Sequence, residues 1–313
     1  MTRRIRFGVQ TAPQNTSWNE LRNTWKLIDG LGYDTAWTFD HFFPILSDPS
    51  GPCFEGWISL TALVAETTRI QAGVLVTGNT YRHPAVLAKM AATLDHTSGG
   101  RLIMGIGGAW FEMEHNAYDI PFYTTSERIH RVDEAAEMIK RLWSEKQVTF
   151  DGRFYQLKEA YCEPKPLQNP HPPMMIGGSG EKLMLKVVAK HADQWNTFGS
   201  PAVFRHKIEV LRGHCATVGR SFDDIEVSWA GAALLTDSRE EKEALLGRWA
   251  GAFGITPEQY AQGALVGTAS ELRDRIEEFI EVGVSHFILI ANPPFNHESL
   301  RRFAEEVIPS FRD

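Results

Sequence analysis

The chain has 313 residues, with 32 Lys and Arg against 39 Asp and Glu for a formal charge of −7, and it is 43% hydrophobic and 23% charged. This is the balance of an ordinary globular protein, long enough for one large α/β domain or two ordinary ones, and it excludes the clustered basic face of a nucleic-acid binder. No apolar run approaches the ~20 residues of a membrane span, and three scattered cysteines without a CxxC, with eleven histidines lacking HxH or HExxH, argue against a disulfide framework or a metal site.

Strand-like and helix-like segments alternate from the start. The basic Met1–Gly8 passes directly into a strand, Ile5–Gln10, without the apolar stretch of a signal peptide, so a reducing cytoplasm is the expected location. A helix over Trp18–Leu31 is closed by Gly32. Thr35–His41 reads as a second strand and Trp57–Glu66 as a second helix. Ile70–Thr77 is the third strand, followed by a helix over Pro84–Thr97 with proline in its first turn. Leu102–Gly108 is the fourth strand, and Ser126 is the expected cap of a long helix reaching Ser144.

Residues 147–172 interrupt the rhythm. Val148–Leu157 reads as a β-hairpin turning on Asp151-Gly152, and a Pro-rich crossing follows. Pro173–Gly178 with the helix Glu181–His191, Ala192–Phe198 with Val203–Val218, and Ile225–Leu235 with a helix from Glu240 continue the alternation. A less regular piece, Gly251–Gly267, precedes the helix Ala269–Val282, and His286–Ala291 and Ser299–Phe311 end the chain. Eight β/α units with strands that are continuous apolar runs predict a TIM barrel, (β/α)8, over a single domain 1–313, with insertions after strands 4 and 7. A doubly wound open sheet is the competing architecture.

Barrel chemistry sits on the loops beyond the strands' C-terminal ends. There the chain places Asp40-His41, ahead of a loop rich in turn formers, and the glycine turn Gly177-Gly178-Ser179-Gly180 ahead of a helix. A carboxylate and an imidazole at such a strand end mark a candidate catalytic pair. Glycine-rich backbone N–H groups at a helix start make an anion seat. Trp110, Phe111 and Trp195 are candidate linings of an aromatic pocket.

The ordered set Trp37-Thr-Phe-Asp-His-Phe-Phe-Pro44, Gly51–Trp57, Thr68–Thr77, Arg82–Lys89, Gly99–Gly108, Glu114–Phe122, Met175–Glu181, Ala192–Asn196 and Val266–Thr268 resembles the luciferase-like flavin and deazaflavin oxidoreductases, in their coenzyme F-420-dependent branch. The resemblance covers nearly the whole chain. It implies a dimeric TIM barrel with a flat tricyclic cofactor over the barrel mouth, backed by a non-prolyl cis peptide that falls at Leu75-Val76. It also implies cofactor contacts from Asp40, His41, Leu75, Val76, Gly78, Gly107, Gly177, Gly178, Ser179 and Trp195, with the cofactor phosphate on the glycine turn. Some relatives carry an acidic residue after the fourth-strand glycines. Here that position holds Trp110, with Glu112 and Glu114 just beyond, so that role is not transferred. The cationic set of the sugar-phosphate dehydrogenases is not recognisable either.

The implied reaction is hydride transfer between coenzyme F-420 and a small organic substrate, with His41 handling the proton or stabilising an alkoxide and Asp40 orienting the pair or hydrogen-bonding the ring system. The alternative within the resemblance is an FMN-dependent monooxygenase using molecular oxygen. No nucleic-acid or membrane partner is expected, and a homodimer is.

Overall fold

The computed structural model describes residues 3–312. Eight parallel strands close on themselves: Arg6–Thr11, Thr35–Thr38, Gln71–Val74 with its continuation Thr77–Gly78, Leu102–Gly107, Met174–Gly177, Gln194–Thr197, Glu226–Gly231 and His286–Ala291. Arg6–Thr11 pairs with both Thr35–Thr38 and His286–Ala291, so no edge is left open and the open-sheet alternative falls. The helices pack around the outside, and no helix is long and apolar enough to cross a membrane.

Two apolar layers result from strand alternation. Residues facing out join the helices in one large core that includes Phe7, Trp25, Leu87, Met104, Trp195, Trp229 and Phe287. Residues facing in form a separate plug of Trp37, Leu75, Ile103, Met175, Ala230 and Ile288, with Val76 and Ile290 partly exposed against it. A Cβ at Gly73 would meet both the Ile103 carbonyl of the neighbouring strand and, at 2.6 Å, the Trp37 ring that fills the barrel, which is why that position must be glycine.

Several expected boundaries move, each for a local reason. The second strand stops at Thr38, leaving Asp40 and His41 beyond the ladder rather than in it. The third is interrupted at Leu75-Val76, whose peptide bond is cis. The long helix starts at Thr125, capped by Thr124 and not Ser126, because the Thr124 hydroxyl accepts the Glu127 N–H. The hairpin has a four-residue connection between Asp151 and Gln156, not a tight Asp-Gly turn. The seventh strand leaves the barrel after Gly231, and Ala233–Leu235 pairs with Leu265–Gly267 outside it. The helices Arg239–Phe253 and Pro257–Gly263 lie between those two segments. Glu112–Ala117 is a short helix that local periodicity did not suggest.

The opposite end of the barrel is held by charge. Arg6 Nη1 donates to Glu226 Oε2 at 2.9 Å and its other nitrogen reaches Gln71. Buried His286 exchanges a hydrogen bond with Thr35 Oγ1 at 2.8 Å, and its Nδ1 lies 3.6 Å from Glu226 Oε2. Burial opposes the Glu226 charge, but His286 and Arg6 outweigh it and bring the carboxyl down to about 2 from the ordinary 4.5. Because the folded value lies below the unfolded one, this stabilisation is complete above pH 4.5 and is lost as pH falls through about 2. Glu226→Gln is therefore expected to lower unfolding free energy by roughly 3 kcal/mol at neutral pH. In urea titrations the gap from wild type should narrow as pH drops below the ordinary carboxylate range.

Candidate active site at the barrel mouth

The loop after the second strand turns His41 and Asp40 to different partners. His41 is buried and its Nδ1 lies 3.0 Å from Glu114 Oε2, a residue of the short helix beyond the fourth strand. Glu114 has no exposed surface. Its Oε1 accepts the backbone N–H groups of Phe42 at 2.5 Å and Phe43 at 3.0 Å, and its Oε2 also accepts the Tyr81 hydroxyl at 2.6 Å. Burial alone would raise the Glu114 carboxyl, but the bonds from His41 and Tyr81 and the Phe43 N–H hold it below its ordinary value. Burial and the same carboxylate push the Tyr81 hydroxyl up, keeping it a donor. An ionised carboxylate only accepts, so the proton on neutral His41 belongs at Nδ1, and Nε2 is left as an acceptor with no protein hydrogen-bond partner among the described residues.

Asp40 does not orient His41, contrary to the expectation from their adjacency. Its side chain has no exposed surface, and both oxygens are taken by Arg82, at 2.6 and 3.0 Å. Arg82 also contacts Glu55. Burial pushes the Asp40 carboxyl up against the pull of the guanidinium. Asp40 thus braces the loop through Arg82, and the carboxylate hydrogen-bonded to His41 is Glu114, to which the motifs assign no role.

The floor of the mouth is apolar and cleared by glycine. Val76 projects over the inner plug, and Cβ atoms at Gly107 and Gly177 would meet its methyl groups at 2.8 and 2.9 Å. Leu75 is tied down by its N–H to Thr38 O at 2.8 Å and by Gln10 Nε2 to its carbonyl at 3.1 Å. Gly78 pairs beside Gly107 in the ladder. Next to it, buried Asn79 holds Tyr155 through its amide nitrogen and keeps an Oδ1 with no partner among the described residues.

The glycine turn differs from expectation in one respect: the helix after it begins at Met184, not directly on the turn. What makes an anion seat there is the loop itself. The N–H groups of Ser179, Gly180 and Glu181 donate to no backbone or side-chain acceptor among the described residues. Lys207 binds the Ser179 carbonyl at 2.8 Å and neutralises Glu181, and Lys182 is exposed. Trp195 is fully buried, so it offers no ring surface to a ligand; its indole N–H supports the turn by donating to Gly178 O at 2.8 Å. Among the described residues no group of three or more metal-ligating side chains converges.

Three rings surround the imidazole edge-to-face: Phe39, Trp110 and Phe111, with centroids 5.0, 5.6 and 5.7 Å away. Of these Trp110 is 58% exposed.

Comparison with known proteins bears on this geometry. The family model for luciferase-like monooxygenases matches residues 3–286. An F-420-dependent glucose-6-phosphate dehydrogenase of Microbacterium testaceum is 26% identical over 338 residues, covering 100% of this chain and 99% of its own. One of the same name from Kineococcus radiotolerans is 28% identical, covering 98% and 97%. Among solved structures, an F-420-dependent secondary alcohol dehydrogenase in complex with an F-420-acetone adduct superposes with a TM-score of 0.87 at 21% identity, over 99% of this chain and 100% of that one.

Removing the cation that holds Asp40 should be costly, because a buried carboxylate is left unpaired. Arg82→Met is expected to destabilise the fold by about 3–5 kcal/mol. Part of that loss should return in the double variant Arg82→Met with Asp40→Asn, as read by urea midpoints at neutral pH.

Proposed function

Since the chain belongs to the luciferase-like monooxygenase family, we propose that it is a coenzyme F-420-dependent oxidoreductase, one domain over 1–313, that passes a hydride between the deazaflavin and a small organic substrate. What carries this is a His41 Nε2 with no protein hydrogen-bond partner among the described residues, on the connection after the second strand, together with the apolar Leu75-Val76 seat on the strand that pairs with it. The relatives named for the same cofactor along their full length support the same reading.

The residues present suit such a group. Val76 and Leu75 offer a ring-sized apolar back wall, and the glycines at 107 and 177 keep that wall clear. The unused amides of Ser179, Gly180 and Glu181, with Lys182 and Lys207 nearby, suit a phosphate, and Gly178 supplies the backbone shape. The Asn79 Oδ1 is an acceptor for a hydroxyl of the cofactor side chain. When bound, a deazaflavin supplies two-electron hydride chemistry and reacts poorly with oxygen.

The protein's share of the reaction is proton handling and exclusion of water. His41 Nε2 takes the proton from a substrate hydroxyl in the oxidising direction and returns it in the reducing one. Glu114 fixes the tautomer that makes this possible and stabilises the imidazolium once formed, as an acceptor-only partner at Nδ1 does. Phe39, Trp110 and Phe111 keep the imidazole in an apolar surround. Two copies of the chain form the working unit in this reading, which light scattering in solution checks.

Three measurements test the assignment. Fluorescence titration should give tight binding of F-420 and weak binding of FMN; tight FMN binding alone would transfer the protein to the oxygen-using branch. His41→Ala should cut turnover by about 10²–10⁴-fold while leaving F-420 affinity near wild type. Glu114→Gln puts an amide NH2 against one set of donors, so it should lower turnover on the order of 10²-fold with little change in F-420 affinity. Unchanged turnover in that variant would show that the carboxylate only holds the loop.

A further inference from the structure

The charge distribution around His41 says what kind of molecule can sit there. In a barrel the substrate is met by the connections that follow the C-terminal ends of the strands. Residues 12–17, 39–55, 108–124, 198–200 and 292–296 are five of these connections, and none of them contains a lysine or an arginine. The segment 251–267, beyond the seventh strand, has none either. Arg82 follows the third strand, but it is held by Asp40 and Glu55 together. Lys182 lies on the glycine turn, where it serves the proposed cofactor phosphate. The insertion helix Arg239–Phe253 carries Arg239, Lys242 and Arg248; Arg239 is paired with Glu243 and Lys242 with Glu271.

The acids nearest His41 are also spoken for. Glu114 accepts four donors and Asp40 takes the Arg82 fork. Among the described residues the imidazole itself therefore meets only a carboxylate whose lone pairs are already filled; Glu112 on the same connection is exposed to solvent, and Arg128 at its end is turned to the Tyr123 carbonyl and the Phe122 ring. What the same connections do expose is apolar: Leu46 at 77%, Phe198 at 61%, Trp110 at 58%, Tyr118 at 53% and Met113 at 49%. Large apolar side chains left in water around the mouth of a site are the usual sign of a surface that a ligand covers. Trp110 couples this surface to the chemistry, since its ring stands edge-to-face on His41 and beside Phe111 at 5.2 Å.

We propose that the substrate is an uncharged, largely apolar molecule, ring-bearing on the side that meets Trp110, with a single hydroxyl or carbonyl oxygen directed at His41 Nε2. A phosphorylated or carboxylated substrate would shed its hydration beside His41 without gaining a cation there, and an ammonium would find the two carboxylates nearest the imidazole, Glu114 and Asp40, already filled. This separates the chain from the sugar-phosphate dehydrogenases to which it is similar. The inference rests on the hydride-transfer reading above.

The test keeps the ring constant and varies the charge. F-420 affinity is measured first, and calorimetry on the F-420-loaded protein then follows 1-phenylethanol, phenyl phosphate and protonated 1-phenylethylamine at neutral pH. The neutral probe is expected to bind about 10-fold or more tightly than either charged one. Trp110→Ala should weaken the neutral probe by about 5-fold while leaving F-420 affinity unchanged, which also shows that the variant is folded. Equal or tighter binding of a charged probe, no binding of any phenyl probe, or no effect of Trp110→Ala overturns the substrate class while the oxidoreductase reading stands. Failure to bind F-420 in the first step overturns both.

Discussion

One buried carboxylate organises the mouth of this barrel. Glu114 comes from the short helix beyond the fourth strand and gathers the His41 imidazole, two backbone amides of the loop after the second strand, and the Tyr81 hydroxyl after the third. A charge with no exposed surface is tolerable only when its lone pairs are filled, and here four donors fill them. The cost of burying Glu114 thus becomes the rule that fixes His41: three strand ends must come together in one arrangement, and in that arrangement Nδ1 is committed and Nε2 is not. The chemistry assigned to the site depends on that asymmetry between the two ring nitrogens.

Beneath it lies a second buried charge set of a different kind. Asp40, Arg82 and Glu55 form a chain in which one guanidinium serves two carboxylates. Both Asp40 oxygens are committed to the guanidinium, so the set acts as bracing. At the far end of the strands, Arg6, Glu226 and His286 perform a comparable task around the closed base. Between the two polar ends stands the dry plug of Trp37, Ile103, Met175 and Ile288, topped by Leu75 and Val76. The barrel is therefore a stack: a charged base, an apolar plug, an apolar seat, and a single imidazole beside the seat.

The β/α alternation was legible because strand and helix periods are local properties, and the eight-unit count led directly to a closed barrel. The glycine turn and the cis peptide at Leu75-Val76 were placed by the ordered motifs and occur in the structure where they were expected. Boundaries failed where a tertiary partner decides them. Thr35–Thr38 is shorter than its apolar run because pairing with the third strand ends there, and Ala233–Leu235 leaves the barrel because Leu265–Gly267 offers another partner. Trp195 was expected to line an aromatic pocket at a strand end, yet it faces the outer core, where one step of strand alternation takes it.

The amino-acid sequence by itself determined the class of fold, the lack of a recognisable sugar-phosphate-binding cationic set, the family resemblance and the identity of His41 as the residue to watch. These depend on composition, on short-range periodicity and on the order of motifs. Only the tertiary structure decided which carboxylate serves that histidine. Asp40 is its chain neighbour and Glu114 is seventy-three residues away, but Asp40 is committed to Arg82 and it is Glu114 that reaches the imidazole. Distance along the chain says little about distance across a closed barrel, so the partner became visible only when the strand ends were brought together.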